Sequence, residues 1–380
     1  MVYITVLQPP MYHQMSLEEF LFGTETASLE PYNPNMTNTR TYTVDAPSDR
    51  VRSRIDVYEL IEALRRFNAS VEPLREVPRQ ALYREFYIPK KSGGLRKIDA
   101  PNEDLMNALR VLKTIFENKF KVLYHTSAFA YIRKRSTLDA VKRHQANESK
   151  WFAKFDLSNF FGSTTPEFVM KMFSMIYPFS EVVRYRSGRE ELSKALELAF
   201  LNGGLPQGTP ISPLITNVMM IPIDHCLANA FRDLERQRYI YTRYADDFIV
   251  SSRYEFDFRK IQQFIIDALK RFDAPFTIKT EKTRYGSSAG RNWNLGVMLN
   301  KDNKITIGSK RKREFQAMLT SFALDTKNGN PWPLEQVQHL EGLRNYYHMV
   351  EGTAIDDIVT KIGDKFSVNI PQTMKQLLRG

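Results

Sequence analysis

The pattern of apolar and polar positions divides most of the chain into helices and short strand-like runs. Apolar residues at helical spacing predict amphipathic helices at residues 54–66, 103–120, 137–147 and 258–272. A Gly- and Pro-rich loop at residues 203–213 leads into an apolar stretch, residues 214–237, which predicts one further helix. From Lys310 onward the pattern is again helical, with a polar loop at residues 325–336.

Runs rich in β-branched and aromatic residues, separated by turn residues, predict hairpins at residues 84–101, 239–250 and 293–309. Residues 151–161 predict a further strand that opens into a turn. Helices mixed with antiparallel hairpins indicate an α+β fold and not a doubly wound parallel sheet.

Composition and charge narrow the class of partner. The 380 residues carry a formal net charge of +11, and residues 1–50 contain only two basic side chains against six acidic ones. The positive excess therefore lies in the rest of the chain. A region of this size with a positive excess favours a polyanionic partner, with nucleic acid as the first candidate. The alternative is a soluble basic protein that has no such partner.

Cysteine content and hydropathy predict the compartment. A single cysteine, Cys226, excludes an internal disulfide and a cysteine-rich zinc site, and it fits a reducing compartment. No apolar run reaches the roughly 18 residues that a membrane span needs. The first residues also lack the basic and apolar regions of a signal peptide. We therefore expect a cytoplasmic protein with no membrane partner.

Three aspartates occupy places from which catalysis is expected. Asp156 ends a predicted strand, and Asp246 and Asp247 lie side by side in the turn of a predicted hairpin about 90 residues later. If the fold brings them together, their mutual repulsion is relieved by two Mg²⁺ ions, which create a site for phosphoryl transfer. The alternative is structural, because aspartate is also common in tight turns and at helix N-caps.

Basic residues and a flexible loop in other segments suit a phosphate-bearing ligand. The basic residues are Lys90, Lys91, Arg96 and Lys97 around a Gly turn, Lys282, and the run Lys310, Arg311, Lys312 and Arg313. Gln207 adds an amide within the loop "GGLPQGTPISP", where glycines let the backbone approach a ligand. Each segment has a structural alternative. The residues around the Gly turn could form an ordinary exposed turn, the loop could serve only as the entry to a helix, and the run 310–313 could be a solvated helix face.

The order of these motifs carries a family resemblance. The segments "IPKKSGGLRKIDAP", "FAKFDLSNFF", "GLPQGTPISPLITN", "YADDFIVS", "KTEKT" and "NLGVML" resemble those of reverse transcriptases, in particular the compact bacterial ones. The resemblance runs over residues 84–300 and more loosely to residue 350. It implies a right-hand polymerase: fingers, a palm with an antiparallel sheet, and a small helical thumb.

The domain division that follows has four parts. They are a group-specific extension at residues 1–80, fingers at 81–150, a palm at 151–308 with fingers-associated helices within 165–205, and a helical thumb at 309–380. The extension does not match the shared core, so a group-specific role such as RNA docking, self-assembly or priming is expected there.

The resemblance also implies roles for individual residues. Asp156, Asp246 and Asp247 match the carboxylates that bind two Mg²⁺ ions, for which Mn²⁺ is a substitute, and the Leu157 carbonyl matches an extra ligand. Phe161 matches the aromatic gate that selects deoxynucleotides by excluding a ribose 2′-hydroxyl. Its alternative is a core position. Gln207 matches a residue that contacts the incoming nucleotide, and Arg96 and Lys90 match residues that hold its triphosphate. Lys282 matches a general acid near the phosphates, and Leu295 and Gly296 match the primer grip. The basic run suits contact with the nucleic-acid backbone and consists of Lys310, Arg311, Lys312 and Arg313.

Two other polar residues stay outside the predicted site. Asp224, in the apolar helix, is interpreted as a buried or capping acid with a structural role. His144 resembles a histidine of retron enzymes that follows an Asn-Ala pair, but Asp139 here replaces the asparagine.

The kind of reverse transcriptase is less sharply indicated. About 75 residues follow the primer-grip hairpin, so we expect a small thumb and no RNase H, maturase or endonuclease domain. Retron enzymes commonly carry Val-Thr-Gly where this chain has "NLGVM", which leaves open a retron-like enzyme and an antiphage-defence enzyme. Expected partners are a cognate non-coding RNA template, the DNA product and dNTPs in a bacterial cytoplasm. A homo-oligomer or an accessory defence protein also stays open.

Two further functions remain as alternatives. One is a defence polymerase that makes DNA with a non-standard template or a protein primer. The other, from a different class, is a catalytically silent RNA-binding protein on a polymerase scaffold. The presence of Asp156, Asp246 and Asp247 speaks against the silent protein, because loss of any one of them would favour it.

Overall fold

The computed structural model describes residues 56–90, 93–234, 238–288, 293–294 and 296–379. The acidic N-terminal residues up to 55, together with Lys91 and Leu295, lie outside the described residues. Within the described part, helices alternate with antiparallel strand pairs, and the predicted α+β class is confirmed.

Helices make up most of the described chain, and four of the predicted ones are found within a few residues of their expected bounds. The helices are α1 (Val57–Ser70), α2 (Glu72–Arg75), α3 (Glu103–Asn118), α4 (Thr137–Ala146), α5 (Pro166–Phe173), α6 (Phe179–Arg184), α7 (Arg186–Glu197), α8 (Ser212–Met219), α9 (Ile221–Asp233), α10 (Phe258–Arg271), α11 (Ser309–Lys327), α12 (Leu334–Glu351), α13 (Thr353–Phe366) and α14 (Ile370–Leu377).

Side chains at helix starts explain several of these bounds. The Asp56 carboxylate accepts hydrogen bonds from the backbone N–H groups of Tyr58 and Glu59 at the start of α1. Ser136 and Asp139 form a reciprocal capping box at the start of α4. Each contact satisfies a backbone N–H that the first helical turn leaves without an intrahelical partner.

The single helix predicted at residues 214–237 is wrong, because the chain forms two helices there. α8 ends at Met219 and α9 begins at Ile221, with a 42° bend between them. Pro222 explains the break, since it has no N–H to donate and its ring clashes with the preceding turn. Among the described residues no single helix is long and apolar enough to cross a membrane, although this bent pair passes on length and composition.

The strands form antiparallel sheets. They are β1 (Tyr83–Pro89), β2 (Leu95–Pro101), β3 (Trp151–Asp156), β4 (Ile240–Tyr244), β5 (Asp247–Ser252), β6 (Arg284–Ser287), β7 (Trp293–Asn294), β8 (Val297–Leu299) and β9 (Ile305–Thr306). The central sheet has the strand order β4–β5–β3–β6, β1 pairs with β2, and β7, β8 and β9 form a small sheet in that order. The three predicted hairpins are therefore confirmed.

Two large hydrophobic clusters organise the described residues. The larger one packs helices α1, α3 and α5 to α10 against the central sheet and includes Phe116, Phe155 and Phe248. A second cluster joins helices α11 to α14 through side chains such as Leu319 and Leu340. The C-terminal helices thus have a core of their own.

Candidate active site

Antiparallel pairing brings the three predicted aspartates together. In the register of β3 and β5, Asp156 lies directly opposite Asp247, so both carboxylates stand at the same end of the sheet. Asp246 precedes Asp247 in the turn, and its carbonyl accepts a hydrogen bond from the Leu157 N–H at 3.1 Å. The aspartates, distant in sequence, therefore meet where β3 ends and the β4–β5 hairpin turns.

The turn that carries Asp246 has a constrained backbone. Tyr244 of β4 pairs with Asp247 of β5, which leaves only Ala245 and Asp246 to connect the two strands. Ala245 has φ +56°, a left-handed conformation that is uncommon for a residue with a Cβ. The apolar residues that follow, Phe248 and Ile249, are buried and anchor the hairpin in the protein.

Lysines provide positive charge next to two of the carboxylates. Lys279 and Lys282 each place Nζ 3.1 Å from a carboxylate oxygen of Asp156. Lys154 of β3 binds Asp247 at 2.7 Å. The predicted cation Lys282 is thus beside the aspartates, and two unpredicted lysines accompany it.

Burial and like charge disfavour the ionised forms of the Asp246 and Asp247 carboxyl groups. Burial, and then the negative charge of Asp247, raises the pKa of Asp246 above its ordinary value. Burial also raises the pKa of Asp247, although Lys154 opposes that rise. The ionised forms of Asp246 and Asp247 are therefore disfavoured mainly by burial, a penalty that a bound divalent cation would offset.

The chemistry of the donor set fits a hard divalent cation. Carboxylate and carbonyl oxygens are the ligands that Mg²⁺ and Mn²⁺ prefer. Within the described ranges, no group of three or more His, Cys, Asp or Glu side chains is already arranged to hold a metal ion. Asp156 and Asp247 instead contact lysine ammonium groups, so a bound ion would compete with these ion pairs.

Phe161 lies in the turn after β3 and is only partly buried, whereas Phe160 is buried against Phe276. The Phe161 carbonyl accepts a hydrogen bond from the Leu205 N–H at 2.9 Å. A Cβ on Gly204 would overlap the Gly162 carbonyl, so only glycine permits this approach. The loop at residues 203–208 is consequently packed onto the turn that presents Phe161.

The same loop is joined to the β1–β2 hairpin. The Gln207 carbonyl accepts a hydrogen bond from the Asp99 N–H of β2 at 2.8 Å. Lys90 and Arg96 are exposed near the turn of this hairpin, while Lys97 forms ion pairs with Glu85 and Asp99. The predicted nucleotide-contacting residues are therefore on connected segments.

The basic run at the start of α11 divides into two kinds of residue. Arg311 donates to the Gly296 carbonyl, and Lys312 forms an ion pair with Glu351. Lys310 has a 79% exposed side chain, and Arg313 is also exposed. The run thus links two cations to other segments of the protein and leaves two on the surface, where Lys310 also forms an exposed ion pair with Glu314 at 3.8 Å. Leu295, the other predicted grip residue, lies outside the described part of the chain.

Sequence patterns contained signals for some residues that the prediction missed. Lys154 lies two positions before Asp156 in the same strand, and alternate strand residues share a face. Lys279 accompanies Lys282 in the segment "IKTEKT". Tyr131 has no such signal. Its side chain is only partly covered, and this partial desolvation, together with Asp246 and Tyr244 nearby, raises its pKa.

Asp224 and His144 are both buried, and for Asp224 this agrees with the structural role predicted for it. Asp224 forms an ion pair with Arg243, and both side chains are fully buried. The His144 ring bonds the hydroxyl groups of Ser251 and Thr242 at 2.6 and 2.7 Å. Burial lowers the pKa of His144 to about 3, so the ring is neutral at physiological pH.

Comparison with known proteins decides the family. Residues 88–316 match the family described as "Reverse transcriptase (RNA-dependent DNA polymerase)". The chain belongs to the reverse transcriptase family. The right-hand polymerase fold and the enzyme class expected from the sequence are confirmed.

Relatives of this reverse transcriptase include retron enzymes. It is 28% identical to the retron Ec83 reverse transcriptase of Escherichia coli over 293 residues, 74% of this chain and 87% of the relative. It is 29% identical to the Ec73 enzyme of Escherichia coli (53% of this chain, 64% of the relative) and 27% identical to the Mx162 enzyme of Myxococcus xanthus (73% and 59%). The alignment therefore spans less than two thirds of the last two relatives.

These relatives confirm the predicted resemblance to bacterial, retron-like reverse transcriptases. Among solved structures, apo telomerase from Candida tropicalis overlaps with 78% of this chain and 63% of its own, at 12% identity and a TM-score of 0.45.

Asp246→Asn should stabilise the metal-free protein at neutral pH. Because the folded-state pKa of Asp246 is raised above its ordinary value of 3.8, ionised Asp246 disfavours the folded state at pH values above both pKa values. That penalty disappears as the pH falls through the raised pKa, since the carboxyl group is then protonated. Calorimetry in chelator should show a higher Tm for the variant near pH 7 and a smaller difference near pH 4.

Asp302→Asn removes a carboxylate from an exposed turn and controls for the change in net charge. A Tm difference between Asp246→Asn and the parent protein that is independent of pH would contradict the assigned cause.

Proposed function

We propose that this reverse transcriptase copies RNA into DNA by two-Mg²⁺ nucleotidyl transfer. The observation that carries the proposal is the placement of Asp156 directly opposite Asp247, with Asp246 in the adjoining turn. Asp156, Asp246 and Asp247 would hold the ions, with the Leu157 carbonyl as a further ligand and Mn²⁺ as a substitute. Bound ions would lower the pKa of the primer 3′-hydroxyl and neutralise the leaving pyrophosphate.

Lys282, one of the lysines next to the aspartates, has a second role in this proposal. In the metal-free protein, Lys282 contacts Asp156. An ion bound by Asp156 would compensate the charge of that carboxylate. The Lys282 ammonium group would then be available to bind the phosphates and to donate a proton to the leaving group. About half of the Lys282 side chain is exposed, which supports this second role.

The nucleotide would lie between the palm and the β1–β2 hairpin. Exposed Lys90 and Arg96 contact its triphosphate, and Gln207 contacts the nucleotide from the loop that binds β2. The Phe161 ring stands under the sugar and excludes a 2′-hydroxyl. Support for this role comes from its partial burial and from the fixed contact between its carbonyl and Leu205.

The C-terminal part would hold the primer and the template–product duplex. Leu295 and Gly296 form the primer grip, and contact between Arg311 and the Gly296 carbonyl links that grip to α11. Exposed Lys310 and Arg313 contact the phosphate backbone, while Arg311 and Lys312 act chiefly through their contacts within the protein. The separate core of helices α11 to α14 supports a thumb at residues 309–380. The other predicted boundaries, at residues 80 and 150, remain part of the proposal.

We infer further that the template is a dedicated non-coding RNA and that the biological role is retron-like or antiphage defence in the bacterial cytoplasm. The alignment covers 87% of the length of the retron Ec83 enzyme, which supports the retron-like assignment. The predicted group-specific extension at residues 1–80 is a candidate for RNA docking.

Replacing Asp246 and Asp247 together by asparagine should abolish DNA synthesis and preserve RNA binding. The amide groups bind Mg²⁺ poorly, so the loss of metal-assisted charge stabilisation should lower the rate at least about a hundredfold. Primer extension on an RNA template and filter binding measure the two properties. Asp302→Asn provides the control, and retained synthesis by the double variant would rule out the two-metal assignment.

Phe161→Ala should relax sugar selection. Without the ring, a ribose 2′-hydroxyl no longer clashes, and the dNTP to rNTP ratio of kcat/KM should fall by roughly tenfold or more, which is about 1.4 kcal/mol. Phe160→Ala removes the neighbouring buried ring and controls for a general loss of packing. An unchanged ratio in Phe161→Ala would return Phe161 to a packing role.

Sequencing the nucleic acids that co-purify with the protein should identify the template. A retron-like enzyme should carry one structured RNA joined to complementary DNA. Repetitive DNA with no matching RNA would instead support a defence polymerase with a non-standard template, and DNA joined to the protein would support a protein primer. RNA without any DNA would favour a silent RNA-binding protein. The Asp246→Asn/Asp247→Asn protein controls for DNA that is bound but was not synthesised.

A further inference from the structure

A fully buried arginine lies behind the hairpin that carries the aspartates. Arg243 of β4 and Asp224 of α9 are both 0% exposed. Nε and Nη2 of Arg243 donate to the two carboxylate oxygens of Asp224, each at 2.8 Å. Because the guanidinium group is planar, this two-point contact fixes the direction in which the remaining nitrogen, Nη1, points.

The Nη1 group contacts the turn itself. It donates to the Ala245 carbonyl at 3.2 Å and to Asn217 Oδ1 at 3.1 Å. Ala245 has φ +56°, and a residue with a Cβ keeps that conformation only where surrounding contacts hold it. The Arg243 contact is one that does so.

The main chain around Arg243 is also fixed. Its N–H donates to the Ser127 carbonyl at 2.7 Å, and its carbonyl accepts from the Phe129 N–H at 2.9 Å. The Asn217 amide donates to the Ala130 carbonyl at 2.6 Å. Arg243 therefore ties the turn to α8, to α9 and to the segment at residues 127–130.

Two anchors define the backbone of Asp246. Arg243 holds the Ala245 carbonyl, which belongs to the peptide group preceding Asp246. Leu157 donates its N–H to the Asp246 carbonyl, which belongs to the peptide group that follows. Since each peptide group is planar, orienting both of them restricts φ and ψ of Asp246 and hence the direction of its carboxylate.

We propose that Arg243, held by Asp224, is a positioning residue that sets the place of the Asp246 carboxylate for divalent-cation binding. This inference rests on the proposed function, in which Asp246 is a metal ligand. Arg243 touches neither substrate nor ion. It acts through the Ala245 peptide group, and only a planar group with several fixed donors can bind Asp224 at two points and reach that carbonyl as well.

The test compares the full-length parent protein with Arg243→Lys. Lysine keeps the positive charge next to Asp224 but loses the planar, multiple-donor geometry. Titration with Mn²⁺, followed by the electron paramagnetic resonance signal of the free ion, should show affinity lowered by about tenfold or more in the folded variant. Primer extension should show a lower kcat with little change in the KM for dNTP, because the nucleotide contacts are untouched.

Arg75→Lys is the matched control. The Arg75 guanidinium also donates to an asparagine oxygen and to a backbone carbonyl, those of Asn68 and Lys194, but it lies between α1 and α7. This variant should have a lower Tm and parent-like Mn²⁺ affinity. If it loses Mn²⁺ affinity as much as Arg243→Lys does, the effect of Arg243 is general stability and the inference is overturned.

A second variant covers the case in which Arg243→Lys does not fold. Arg243→Gln combined with Asp224→Asn removes both charges together, so that no buried charge is left unpaired. It should show the same loss of Mn²⁺ affinity, and parent-like affinity in either folded variant would overturn the inference. The Asp246→Asn/Asp247→Asn variant distinguishes a failure of this inference from a failure of the proposed function. Unchanged Mn²⁺ binding in that variant would refute the proposed metal site itself.

Discussion

The repulsion among three carboxylates at one end of a sheet is the constraint on which the rest of this structure depends. Asp156, Asp246 and Asp247 can be brought together only where neighbouring groups offset their charge and hold their backbones. The central sheet supplies the register, three lysines supply charge, and a buried ion pair holds the turn. Burial of the apolar residues behind the hairpin then secures the arrangement in the larger core.

Local patterns predicted those parts of the site that depend on short stretches of sequence. The hairpins, the helices that begin at residues 103 and 137, and the position of Asp156 at a strand end all follow from residue type and spacing. Assembly of the three aspartates required knowing which strands pair, and the family resemblance supplied that information. The error at residues 214–237 was avoidable, because Pro222 marks the break in the sequence itself.

Other contacts depend on tertiary structure, and sequence alone does not reveal them. Four consecutive residues on a helix point in directions about 100° apart, so a run such as 310–313 cannot face solvent or nucleic acid as a whole. Which members turn inward depends on Gly296 and Glu351, which other elements bring into reach. The role of Arg243 likewise requires Asp224 and Ala245 at known distances.

The hydrogen bond between Asp99 and Gln207 has a consequence for how this enzyme can diverge. It joins two main-chain groups, so substitution of either side chain, proline at position 99 excepted, leaves the link between the β1–β2 hairpin and the loop at residues 203–208 intact. The side chains of the hairpin and of the loop can therefore change independently in evolution while this hydrogen bond is kept. Gly208 is the exception, since a Cβ there would lie 2.8 Å from the Asp99 carbonyl. The mechanical coupling of the two segments thus depends on a residue that carries no side chain.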